Sequence, residues 1–138
     1  MLYTYSITAQ TAAANSNLNF NVNSVLTGCT VSHSAGTPSI QLKRPGYYMV
    51  HFNASAAATA TGNVTVQLNG NGSAIPGAIS TSNSTAATDI GNLSFTAIVQ
   101  VLPNCCAIQS NSPLTLTVEN TGVEATYSNA AITITRLA

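Results

Sequence analysis

The stretch Asn92-Leu93-Ser94-Phe95-Thr96-Ala97-Ile98-Val99-Gln100-Val101 constrains this chain more than any other. Leu93, Phe95, Ala97, Val99 and Val101 occupy alternate positions, so an extended backbone puts all five on one face. A helix would scatter them around its circumference. Pro103 has no amide hydrogen to give to a ladder and stops the strand.

The same period recurs along the sequence. Leu18-Asn19-Phe20-Asn21-Val22-Asn23 alternates apolar with polar, and Ser39-Ile40-Gln41-Leu42 repeats the pattern briefly. The turn pair Pro45-Gly46 precedes Tyr47-Tyr48-Met49-Val50-His51-Phe52-Asn53, a run of strand-forming residues. Asn63 to Gly70 alternates and ends in Asn-Gly, with Asn71-Gly72 directly behind it, the signal of a tight hairpin. Leu114 to Val118 is closed by Asn120-Thr121-Gly122, and Ala131 to Leu137 is the last such segment. Short strands about 10–20 residues apart, with polar turns between them, specify a sandwich or barrel. Tyr48, Val50, Phe52, Leu93, Phe95, Val99, Leu116, Val118, Ile132 and Ile134 are the expected core. The 138 residues suit one domain.

Two alanine-rich stretches, Ala12 to Ala14 and Ala54 to Ala60, have high helix propensity. The second has no large apolar residue to anchor a helix face, and short helices fail without such packing. It is expected to be an extended edge or a loop.

Only Lys43, Arg44, Arg136, Asp89, Glu119 and Glu124 are charged, 4% of the chain, and the net charge is zero. On the roughly 6,700 Å² that a monomer of this size exposes, that is about one charge per 1,100 Å², far sparser than an ordinary soluble surface. Three cations cannot neutralise a nucleic-acid backbone. No apolar run reaches membrane-spanning length. Neither a cofactor nor a metal is expected. Asp89, Glu119 and Glu124 lack the spacing of a calcium loop, and pairing of Glu119 or Glu124 with Lys43, Arg44 or Arg136 is the plainer expectation. A serine with His51 and Asp89 would be the only catalytic constellation to consider, but no Gly-x-Ser-x-Gly elbow accompanies them. No catalytic residue is therefore expected. His33, in Ser32-His33-Ser34-Ala35-Gly36, is expected in a solvated loop, and His51 at a surface or subunit contact. Cys29, Cys105 and Cys106 are odd in number, and two are adjacent, which suits neither a disulfide framework nor a zinc site. They are expected to be reduced and partly buried. Met1-Leu2-Tyr3-Thr4-Tyr5 does not start like a secretory signal, so synthesis in a cytoplasm is expected.

The segment after Pro45-Gly46 is apolar or aromatic on both sides: Tyr48, Val50 and Phe52 on one, Tyr47 and Met49 on the other. The outer face of a lone sandwich should be polar. Two-sided apolarity, on a chain with little charge repulsion to keep copies apart, points to self-association.

Pro45-Gly46-Tyr47-Tyr48-Met49-Val50-His51-Phe52-Asn53-Ala54 resembles the glycine–aromatic–tyrosine strand of the complement globular-head and tumour-necrosis-factor-like superfamily. Within it the chain is most similar to the C-terminal domain of the collagen-like exosporium glycoproteins of spore-forming bacteria. The likeness continues through the alanine/threonine stretch, the strand ending in Asn69-Gly70, Ile75-Pro76-Gly77 and the closing Ala131-Ile132-Thr133-Ile134-Thr135-Arg136-Leu137. It covers residues 39–138, with 1–38 supplying N-terminal strands and loops of the same single domain. The resemblance implies a ten-strand antiparallel jelly-roll sandwich, all β, assembled as a homotrimer without catalytic activity. It further implies that Tyr47, Met49 and His51 face the threefold neighbours.

No collagen-like Gly-x-y stalk accompanies the head in this sequence. A trimeric head without a stalk resembles the small proteins that stud bacteriophage capsids. The expected role is accordingly a structural protein of the virion surface, a capsid decoration or head-fibre protein. Its expected partners are its own copies and the major capsid protein or another virion protein, with no nucleic acid and no membrane. The alternatives are a receptor-binding fibre tip and a structural protein of a bacterial spore or cell surface.

Overall fold

Strand β7 (Gly46–Ala58) is the axis of the molecule. The structure, a computed structural model, describes residues 1–86, 89–103 and 113–138. Along β7 the even positions from Tyr48 to Ala58 point inward and are buried, while the odd positions face out. On one side lies β10 (Ile90–Val101), paired antiparallel from Ile90 opposite Ala57 to Val101 opposite Gly46. On the other lies β12 (Ala125–Arg136), followed by β1 (Leu2–Tyr5) and β4 (Val22–Leu26). The short β2 (Gln10–Ala12) pairs with β12 beyond the end of β1.

The second sheet runs β5 (Val31–His33), β6 (Ile40–Leu42), β11 (Leu114–Asn120), β8 (Gly62–Gly70), β9 (Ser73–Ser84), with β3 (Ser16–Asn17) pairing with β11. Neighbours such as β7 and β12, or β6 and β11, are far apart in sequence, because the chain crosses repeatedly between the sheets. This is a jelly roll. Five strands lie on the continuous path of each sheet, matching the ten expected, and β2 and β3 are additions beside them. Among the described residues there is no helix.

The inward faces meet in one core. Tyr48, Val50, Phe52, Leu116, Ile132 and Ile134 expose no surface, and Leu93, Phe95, Val99 and Val118 expose 6% or less. Phe95 sits opposite Phe52 in the ladder, and their rings stack with centroids 5.2 Å apart. The β8–β9 hairpin closes at Asn71-Gly72, both at positive φ (50° and 82°), the geometry that an Asn-Gly pair tolerates best. Gly122, after β11, lies so close to the Asn63 carbonyl and Thr65 amide of β8 that a Cβ would collide with backbone.

Two expectations about local structure are corrected. The alanine stretch is extended, but Ala54 to Ala58 form neither an edge nor a loop. They continue β7 through the middle of the sheet, between β10 and β12. Small side chains are needed there because Ala56 lies opposite the buried ring of Tyr127, and Ala58 opposite Ala125. Leu18 to Asn23 is not one strand. Leu18 donates its amide to Val118 in the second sheet, and Asn21 donates to Tyr5 in the first. The segment thus crosses between the sheets, with Leu18 and Phe20 fully buried as it passes.

Candidate functional site

The outward face of the first sheet is the surface with the least ordinary chemistry. β7 contributes Tyr47, Met49, His51, Asn53, Ser55 and Ala57 to it, and β10 contributes Ile90, Asn92, Ser94, Thr96, Ile98 and Gln100. In register Ile98 lies opposite Met49 and Gln100 opposite Tyr47, while Thr135 flanks Met49 on the β12 side. Tyr3 of β1 sits opposite Thr133, whose other neighbour is His51. The exposed large apolar residues are Ile90 (75%), Ile98 (65%), Tyr47 (47%), Met49 (38%) and Tyr3 (37%). None of the six charged residues points outward from β1, β7, β10 or β12 on this face.

Tyr47, Met49 and His51 therefore share one outward row. The His51 ring is hydrogen-bonded to the Thr96 hydroxyl at 2.8 Å, across the β7–β10 ladder. Ile98 and Tyr3 belong to the same surface but were not singled out by sequence. The signal for Ile98 was present, since it is a large apolar residue at a position where the alternation of β10 calls for a polar one. Tyr3 required knowledge that β1 joins this sheet.

His33 is a correction. It is not in a solvated loop but ends β5, with 7% of its surface exposed. One ring nitrogen lies 2.6 Å from the Asn23 amide oxygen and the other 2.9 Å from the Thr37 carbonyl, while the Asn23 amide nitrogen donates to the His33 carbonyl. The side chain ties β4 to the loop between β5 and β6.

The carboxylates are also engaged locally, and not with Lys43, Arg44 or Arg136 as expected. Glu119 accepts from the Asn69 amide and Glu124 from the Thr59 hydroxyl, whereas Arg136 donates to the Pro45 carbonyl. Asp89 accepts from the Thr85 hydroxyl and the Thr85 and Ala86 amides. These bonds, the hydroxyl's first, hold its carboxyl below the ordinary value. Asp89 precedes Ile90, which pairs with Ala57, six residues along β7 from His51. That is about 20 Å of extended chain, so His51 and Asp89 cannot share a proton relay. Among the described residues no group of His, Cys, Asp and Glu is placed to hold a metal ion. Cys29 is exposed rather than partly buried; Cys105 and Cys106 lie outside the described residues.

No family model matches the chain, and no curated protein matches it by sequence. Solved structures do. The tumour necrosis factor Eiger from S. frugiperda superposes with a TM-score of 0.73 at 12% identity, covering 99% of this chain and 91% of that one. Murine APRIL gives 0.68 at 10% identity, covering 99% and 97%. The PRD1 vertex protein P5 gives 0.56 at 16% identity, covering 99% and 96%. The fold is the tumour-necrosis-factor-like jelly roll. At these identities the likeness is one of fold, and it spans nearly the whole of each chain. No sequence match links the chain to the exosporium glycoproteins.

Proposed function

We propose that this protein is a non-enzymatic, homotrimeric component of a bacteriophage virion surface, a capsid decoration or head-fibre protein seated on the outer shell. The observation that carries the reading is the charge-free outward face of the first sheet, where Tyr47, Met49, Ile98 and Tyr3 stand exposed. A solvated sheet face is ordinarily polar. Here the apolar side chains are contiguous across β7 and β10, so a covering surface is expected. Three copies around an axis cover such a face and leave no sticky surface over. The resemblance read in the sequence implies trimers, the fold is the jelly roll that it implies, and one structural neighbour is named PRD1 vertex protein P5. The shell partner is the major capsid protein or another virion protein, and three linked copies bind it by avidity.

Met49→Glu sets three like charges against one another in that interface and is expected to dissociate the assembly without unfolding the chain. A micrograph of the native particle, with the chain labelled, tests the location. Copies spread over the shell support a decoration protein. Copies at the tail alone would replace this reading with the fibre tip.

A further inference from the structure

The three cations of the chain gather at one end of the sandwich. β7 begins there at Gly46, β12 ends there at Arg136, and Leu2 of β1 lies beside it, opposite Ile134. Lys43 and Arg44 lie in the link that enters β7, and both side chains are exposed, as is Arg136. The backbone beneath them is fixed at several points. The Lys43 amide donates to the Thr30 carbonyl at 2.8 Å, and the Arg44 carbonyl accepts from the buried Tyr48 hydroxyl at 2.7 Å. Arg136 donates to the Pro45 carbonyl at 2.8 Å, which pins the third guanidinium to the same link.

The acidic side chains lie elsewhere. Asp89 and Glu124 are at the opposite end, where Ile90 pairs with Ala57 and the Glu124 carbonyl accepts from the Thr59 amide. The 13 residues of β7 separate the two ends, about 40 Å and several screening lengths at physiological salt. Glu119, on the middle strand of the second sheet, is held by Asn69 and lies five positions along β11 from Leu114, which pairs with Leu42. Residues 104–112 contain no charged residue that could neutralise the cluster. Beside the cations, Met1 and Leu137 expose about half their surface.

The geometry points to this basic end as a docking surface for an acidic protein patch. Massing like charges brings self-repulsion, while contact with carboxylates turns it into attraction and steers approach. Two of the three cations are arginines, and arginine and methionine are enriched at protein interfaces. The inference deepens the virion reading and rests on it only for which acidic surface is met, the outer face of the shell. Charge-free sheet and basic end are then distinct surfaces, one for copies of the chain and one for the partner.

The test is binding of the purified full chain to immobilised poly-L-glutamate. Duplex DNA and phosphatidylserine vesicles serve as the two other arms, at about 20 and about 150 mM salt. Binding to polyglutamate is expected to weaken on the order of tenfold across that range, and to weaken at least as much in Lys43→Glu/Arg44→Glu. Glu124→Gln, at the far end, should bind like the parent. Lys43→Ala/Arg44→Ala supplies the same reading if the reversed pair folds poorly. Unchanged binding by these variants, or tighter binding to DNA or vesicles than to polyglutamate, would overturn the inference. The result stands apart from the particle micrograph: a chain absent from virions removes the shell as partner but leaves the polyglutamate outcome intact.

Discussion

Asn120→Ala is expected to remove a buried polar contact that joins the two sheets. Asn120 ends β11 with no exposed surface. Its amide nitrogen donates to the carbonyls of Ala12 and Val123 at 3.0 Å and of Ala13 at 3.3 Å, and its oxygen accepts from the Tyr127 hydroxyl at 3.0 Å. One side chain thereby joins the second sheet to β2, to β12 and to the turn between β11 and β12. Truncation leaves the phenol of Tyr127 and at least one carbonyl buried without that partner, and each such group costs about 1–3 kcal/mol. The small cavity adds to this. A loss of about 3 kcal/mol follows, a large part of the stability of a domain this size. Asn120→Asp should be worse, because it points a carboxylate at backbone carbonyls. The chain has no tryptophan, so urea unfolding is followed by far-ultraviolet circular dichroism at one protein concentration, since self-association shifts apparent stability. A midpoint for Asn120→Ala equivalent to less than about 0.5 kcal/mol of change, the range of a surface substitution, would refute the reasoning.

Three further outcomes follow from the same geometry. Phe95→Ala, which removes the ring stacked on Phe52, should lower unfolding stability by about 3–5 kcal/mol, and Ser94→Ala, facing outward beside it, by no more than about 0.5 kcal/mol. Burial pushes the Tyr127 phenol well above its ordinary value; the unfolded chain therefore ionises first, and stability present below about pH 10 falls as pH rises beyond it. In Tyr127→Phe this part of the alkaline loss should vanish from a series of denaturation curves taken at rising pH. Met49→Glu should lower the mass in solution while leaving the circular-dichroism spectrum of the parent.

The parts of the fold carried by short-range pattern could be read from the residues. β10 buries Leu93, Phe95, Val99 and Val101 and turns Ser94, Thr96 and Gln100 outward, as its alternation requires. The Asn71-Gly72 hairpin and the strand role of Tyr47 to Asn53 were legible for the same reason. What escaped depends on partners distant in sequence. Ala54 to Ala58 become a central strand because β10 and β12 arrive on both sides, which composition alone does not reveal. His33 is buried because Asn23 and Thr37 supply hydrogen-bond partners for both ring nitrogens, although its neighbours are serines, alanine and glycine. Asn120 reads as a turn residue, yet its main partner, Ala12, lies 108 residues away. At the outward face, Tyr47 and Met49 broke the expected polar pattern and were visible, whereas Tyr3 joined them only through the pairing of β1 with β12.

The mass of the purified protein in solution, measured by light scattering at micromolar concentration, bears most directly on the account. The chain is 14.1 kDa, and a closed three-copy assembly covering the charge-free face gives a single species of about 42 kDa. A clean 14.1 kDa species would leave Tyr47, Met49 and Ile98 exposed to water with nothing to cover them, and would contradict the trimer and the virion role built on it.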